Sequence, residues 1–265
     1  MPVAAPTRAE TVAALDGCWS SLEQFCAALS PADWQTPSLC PAWTVHGVMT
    51  HLTGIEEALA GWTVETETGP FGGLAQFHKD AKAWSGVELL ERFRAAVERR
   101  RAQLAAADDT AWARPSWTPV GVHTWGRFQE VRVFDCWVHE QDMRTPLDRP
   151  GHEDGPAAEL SLREVELSWG FVMGKKVGLT EGESVTVHVT GPYARDLSAT
   201  VVEGRARPVE ALAEPTAELS VDFLTFMLLC CGRIDPEAQL AAGTVTLRGD
   251  PDLARKAATK LAFTF

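Results

Sequence analysis

Apolar residues recur at steps of three and four over the first half of the chain. Between Thr7 and Leu29 they fall at Val12, Leu15, Trp19, Leu22, Cys26 and Leu29, the spacing that gives a helix one buried face. Pro31, Pro37 and Pro41 then enforce a connection without a helix. Thr44 is suited to cap a second helix running to about Trp62, with a stripe of Val45, Val48, Leu52, Ile55, Leu59 and Trp62. Gly69-Pro70 and Gly72-Gly73 mark a loop. A third helix is predicted from Gly86 to Ala106, with Leu90, Phe93, Val97 and Leu104 inward. Asp108, Asp109 and the stretch from Pro115 to Gly121 read as another connection, and a fourth helix runs from Thr124 to Arg144. Pro146, Pro150 and Gly151 end it. Four helices with one apolar face each bury those faces best as a bundle.

The pattern then changes. A further amphipathic helix, Pro156 to Val177, leads into segments that alternate at period two. Ser184 to Val189 and Leu197 to Val202 read as strands with Gly191-Pro192 between them. Glu218 to Val221 and Thr244 to Leu247 are two more, Phe223 to Cys231 is a buried helix, and Asp250 caps a last helix to Leu261. The prediction is an α+β protein: a helical bundle over residues 1–150 and a smaller α+β domain over 151–265.

Composition narrows the classes of function. The 265 residues are 45% hydrophobic and 23% charged, an ordinary globular balance. Net charge is −12, which disfavours nucleic acid and anionic membranes, since both demand a basic surface. The longest apolar run, Phe226 to Cys231, is far short of a membrane span, and the N-terminus has no apolar run of signal-peptide length. A soluble, cytoplasmic protein is expected. The six cysteines form no C-x-x-C pair and read as small apolar residues of a reducing compartment. Oligomeric state cannot be read.

Candidate chemistry concentrates in the fourth helix. Asp135 and His139 lie about 40° apart on a helical wheel, one turn along. Val131, Val138 and Asp142 share or border that face, while Trp137 points away from it. A carboxylate and an imidazole thus turn toward the core, and a buried carboxylate needs compensation. His51, at the edge of the second helix's stripe, is an available partner; His46 falls on the opposite face, where solvent is expected. Two imidazoles and a carboxylate suit a divalent metal with an open coordination position, zinc or iron(II). A plain Asp–His hydrogen bond at the edge of a core accounts for the same pair without a metal. Cys40 reads as structural. His78, His123, His152 and His188 read as solvated or locally bonded.

The segments Pro31-Ala32-Asp33-Trp34, Pro37 through Val45 (PSLCPAWTV) and His51-Leu52, together with Trp137 through Arg144 (WVHEQDMR), resemble the mycothiol-dependent maleylpyruvate isomerase-like family. Its members are DinB-like metal-binding four-helix bundles with a C-terminal domain related to sterol carrier folds. Residues beyond Gly155, including Thr246 through Pro251 (TLRGDP), are similar to that second domain. The resemblance implies a divalent metal, usually zinc, on His51, Asp135 and His139. The family's acid is usually Glu, and here it is the shorter Asp. It implies mycothiol as cofactor, a small electrophile as substrate, and an arginine of the C-terminal domain, Arg233 or Arg248, for an anionic substrate. Asp142, one turn beyond His139, reads either as the acceptor of its second N–H or as a surface or capping acid.

The expected function is therefore that of a metal-dependent enzyme whose activated thiolate attacks a small electrophile, by S-transfer or by cis–trans isomerisation. The alternatives are a non-catalytic metal- or small-ligand-binding protein of the same fold, or a carrier of apolar ligands.

Overall fold

The computed structural model describes residues 4–264. Four long helices make the N-terminal bundle: α1 (Arg8–Ala27), α2 (Val45–Ala60), α4 (Gly86–Ala106) and α6 (Trp125–Arg144). Each begins at a hydroxyl cap. Thr7 and Ser85 form capping boxes with Glu10 and Glu88, and Thr44 and Thr124 accept from the amides of Gly47 and Arg127. Those caps satisfy amides that a helix start leaves unpaired, and they set where the helices begin. The stripes meet in a core that includes Leu15, Trp19, Leu22, Val48, Met49, Leu52, Phe93 and Val97, all less than 2% exposed.

The two connections hold structure that periodicity did not reveal. The expected loop after α2 carries α3 (Leu74–Ala81). Eight residues are too few for a periodic signal. Its place is set instead by Gly54 on α2, where a β-carbon would stand 2.6 Å from a Leu74 methyl and 2.8 Å from the Phe77 ring. The connection before α6 carries a helical turn, α5 (Asp109–Trp112), and a hairpin of β1 (Pro115–Thr118) and β2 (Gly121–Thr124).

Contacts divide the chain within α7 (Pro156–Phe171), into a unit from Pro6 to Leu160 and one from Ser161 onward that includes Ala4 and Ala5. The expected boundary, 150/151, lies earlier, before α7 begins. The helix expected to run to Val177 changes its winding at Val172–Val177, which form a π-helical turn.

The second unit holds one five-stranded sheet in the order β5-β4-β3-β6-β7. The strands are β3 (Ser184–Thr190), β4 (Arg195–Val202), β5 (Arg205–Val209), β6 (Ala217–Asp222) and β7 (Val245–Gly249). β3 and β6 run parallel, with Val187 opposite Leu219, and every other pair is antiparallel. Edge strand β5, with Pro208 in it, was not anticipated, since proline breaks the strand pattern. The helices α8 (Phe223–Cys230), α9 (Pro236–Ala242) and α10 (Pro251–Thr259) complete the α+β architecture. Among the described residues no helix is long and apolar enough to cross a membrane.

Candidate metal centre

The bundle brings together His51 from α2 and Asp135 and His139 from α6. Nε2 of His51 lies 3.7 Å from Asp135 Oδ2, and Nε2 of His139 lies 3.6 Å from Asp135 Oδ1. Both separations exceed a hydrogen bond. One donor atom from each of the three falls within 4.8 Å of the others. Ligands about 2.1 Å from a tetrahedral ion stand roughly 3.4 Å apart, so the spacing suits one divalent ion. His51 Nε2 is buried without a hydrogen-bond partner. An orphaned buried nitrogen of this kind is free to ligate, which a satisfied Asp–His pair would not be.

The electrostatics keep His51 and Asp135 in ligand form. Burial lowers the His51 pKa, against the opposing pull of Asp135. Burial alone would raise the Asp135 carboxyl, yet Arg132, His139 and His51 together hold it well below the usual carboxylate range. At neutral pH the site therefore offers an uncharged imidazole at His51 and an ionised carboxylate at Asp135.

Asp142 is fully buried, and its Oδ2 lies 2.9 Å from Nδ1 of His139. The Trp43 ring lies 5.1 Å from His51 and 6.1 Å from His139, centroid to centroid. Trp137 is buried too, but its Nε1 donates to the carbonyl of His152 at 2.7 Å, away from the ligands.

Two positions differ from expectation, and a third, Cys40, lies near the site. His78 is not simply solvated: α3 sets its ring 6.2 Å from His51 and 5.8 Å from Trp43. Its pKa is lowered by burial and then by His51. Its signal was lost with the helix that carries it. His46 is half-buried, its Nε2 3.0 Å from the carbonyl oxygen of Trp84. Cys40 is half-buried, with its sulfur among donor atoms of His139 and Asp142 that all lie within 4.8 Å of one another.

A buried ionic chain beneath the ligands was missed entirely. Arg132 donates to Asp135 Oδ2, and its Nη2 donates to Glu56 Oε1 at 2.7 Å. Arg100 Nε donates to Glu56 Oε2 at 2.9 Å. Glu56 and Arg100 are fully buried. Burial would raise the Glu56 carboxyl, but the two arginines bring it below its ordinary value. Glu56 and Arg132 fall at the turns where a bundle needs apolar residues, so a hydrophobic pattern gives them no signal.

Arg233 and Arg248 lie in the second unit. Arg233 Nη1 donates to the carbonyl of Cys231 at 2.9 Å. Arg248 is exposed on β7 and lines a groove of about 370 Å³ with His188, Glu218 and Thr246. His188 is held there between Asp196, 2.7 Å from Nδ1, and Glu218, 2.8 Å from Nε2.

Residues 15–144 match the mycothiol maleylpyruvate isomerase N-terminal domain. Among solved structures, the chain is similar to a histidine-to-alanine mutant of mycothiol-dependent maleylpyruvate isomerase, at 15% identity and a TM-score of 0.62, over 91% of this chain and 93% of that one. The unmutated isomerase is similar at 15% identity and a TM-score of 0.59, over 86% and 90% of the two chains. No curated protein matches the sequence. Residues 15–144, with His51, Asp135 and His139 inside their bounds, thus resemble the mycothiol maleylpyruvate isomerase N-terminal domain, and the fold of the chain is similar to that of the isomerase.

Proposed function

We propose that this protein is a metal-dependent enzyme that uses a low-molecular-weight thiol, mycothiol by the precedent of its relatives, to attack a small electrophile. The observation that carries the reading is the convergence of His51, Asp135 and His139 around the orphaned Nε2 of His51. His51 and His139 would hold the metal through imidazole nitrogens and Asp135 through its carboxylate. A bound zinc ion supplies ionisation of a coordinated thiol near neutral pH.

The protein's own residues do the rest. Asp142 accepts the N–H of His139 Nδ1, which leaves Nε2 with its lone pair toward the ligand space. The Trp43 ring lies beside both imidazoles and adds an apolar wall to the site. Arg233 and Arg248 are the arginines proposed for the substrate's anionic end, on the family resemblance alone. In isomerisation, the thiolate sulfur adds to one carbon of a cis double bond, and the π pair moves onto the conjugated carbonyl oxygen. The new single bond rotates. Return of the pair expels the thiolate and leaves the trans alkene, with no net proton consumed. In S-transfer, the same addition ends when the carbon takes a proton and the adduct leaves.

The test is metal content by elemental mass spectrometry, followed by turnover of maleylpyruvate with and without mycothiol. About one metal per chain is expected, lost in His51→Ala, with turnover that requires the thiol. A wild-type protein that stays metal-free after incubation with zinc or iron(II) would overturn the reading. Stoichiometric metal without thiol-dependent turnover would instead favour a binding protein of the same fold.

A further inference from the structure

The chain of charges under Asp135 is built to fix one carboxylate. Its far end is anchored to backbone: Gln103 Nε2 donates to the carbonyl of Leu59 at 3.3 Å, and Gln129 Nε2 to that of Trp125 at 3.2 Å. The oxygens of these two amides accept from Arg100. Arg100 holds one oxygen of Glu56, and Arg132 holds the other. The second amino group of Arg132 reaches Asp135 Oδ2, while Nη2 also lies 3.2 Å from the sulfur of Cys136. Glu56, Arg100, Arg132 and Gln129 are buried and Gln103 is half-buried, while the Asp135 side chain is 28% exposed. A planar guanidinium clamped at both ends fixes direction as well as charge, which a lysine ammonium cannot do.

We propose that the buried Glu56–Arg132 pair positions Asp135, holding Oδ2 so that Oδ1 alone is left to bind the metal. The pair thereby makes the carboxylate a one-oxygen ligand and keeps a coordination position for the thiol. This rests on the metal-site reading above. Arg132 and Glu56 are positioning residues; neither touches the ligand space itself.

The experiment is cobalt(II) titration of the wild type, Arg132→Lys and Glu56→Gln, read by chelator competition and by visible absorption. Lysine keeps the charge but cannot span both carboxylates; glutamine keeps an acceptor but not the ion pair. Far-ultraviolet circular dichroism checks folding, and either variant suffices if the other does not fold. The expected result is an affinity about tenfold or more below wild type, with weaker visible bands. The loss of intensity reports a rise in coordination number as both oxygens of Asp135 engage. A folded variant with wild-type affinity and wild-type bands would overturn the assignment while leaving the metal site intact. Weaker affinity with unchanged bands would reduce the pair to a structural support and also overturn it. A wild type that binds no cobalt would remove the metal reading and this inference together.

Discussion

Asp142 Oδ2 sits 2.9 Å from Nδ1 of His139, with the carboxylate wholly out of solvent. The two are three residues apart on α6, so one turn of helix fixes their distance. An acceptor at Nδ1 selects the tautomer that leaves Nε2 unprotonated, on the edge that faces Asp135 and His51. Asp142→Asn can turn its amide N–H toward Nδ1 and favour the wrong tautomer. Metal affinity should fall about ten- to a hundredfold. Chelator competition measures it, and an unchanged affinity would show that the pair does not orient the ring.

The metal-free protein should lose stability as pH falls below neutrality. The folded pKa of His51 lies below its ordinary 6.5 because of burial. Between that folded value and 6.5 the unfolded chain binds more protons, so stability rises with pH and is lost on acidification. His78 shifts the same way. His188 opposes them: Glu218 and Asp196 raise its pKa, so its contribution is present below 6.5 and lost as pH rises through the folded value. Its side chain is 36% exposed, so solvent screening weakens that contribution. The contributions of Asp135 and Glu56, whose pKa values are lowered, are constant above about 4.5. The Tm of the apo protein at pH 5.5 should be a few degrees below that at pH 7.5, and His51→Gln should shrink the difference. An equal difference in the variant would mean that His51 is not buried in its neutral form.

What could be read ahead of the structure divides along physical lines. His51, Asp135 and His139 were legible because each departs from an apolar stripe at a position the helical period defines. The four long helices were legible from the same period, and Thr44 announced one of the starts. The α3 helix was not: its position depends on the missing side chain of Gly54, a tertiary contact. His78 went with it. Glu56 and Arg132 were hidden because charges buried in a core oppose the rule that periodicity relies on. Arg132 and Asp135 are an ordinary i, i+3 pair in sequence, and only the fold shows that Glu56 meets the same guanidinium.

Glu56→Ala tests how much rests on that chain. It would strand Arg100 and Arg132, both nearly or fully buried, without the carboxylate that compensates them. Removing one partner of a buried ion pair costs about 3–5 kcal/mol, and here one carboxylate serves two arginines. Denaturant unfolding should show a loss in that range or beyond it. A loss below about 1 kcal/mol, the scale of an exposed pair, would mean that water reaches the network. Replacing Glu56, Arg100 and Arg132 together by apolar residues of similar volume should restore much of the stability while leaving Asp135 unsupported. Stability and metal affinity would then separate, which single truncations cannot achieve.

Gly54 offers the last test, because it links packing to the site. A β-carbon there would stand 2.6 Å from Leu74 Cδ1 and 2.8 Å from Phe77 Cδ1, closer than such contacts allow. Both neighbours are ends of side chains, so Gly54→Ala can be relieved by rotamer changes or a slight lift of α3. In a helix interior, alanine gains about 1 kcal/mol over glycine by propensity. Overpacking costs about 1–3 kcal/mol, so the alanine variant should lie between wild-type stability and a loss of about 2 kcal/mol. Gly54→Val adds bulk without a propensity gain over alanine, and should be destabilised by roughly 1–3 kcal/mol in denaturant unfolding. The site should respond as well. Lifting α3 draws the His78 ring away from His51 and Trp43, opening His51 to water. The pKa of His51, followed by imidazole proton resonances in the metal-free protein, should move up toward 6.5 in the valine variant. Loss of stability with an unmoved His51 would show that α3 packs on the bundle without shielding the site.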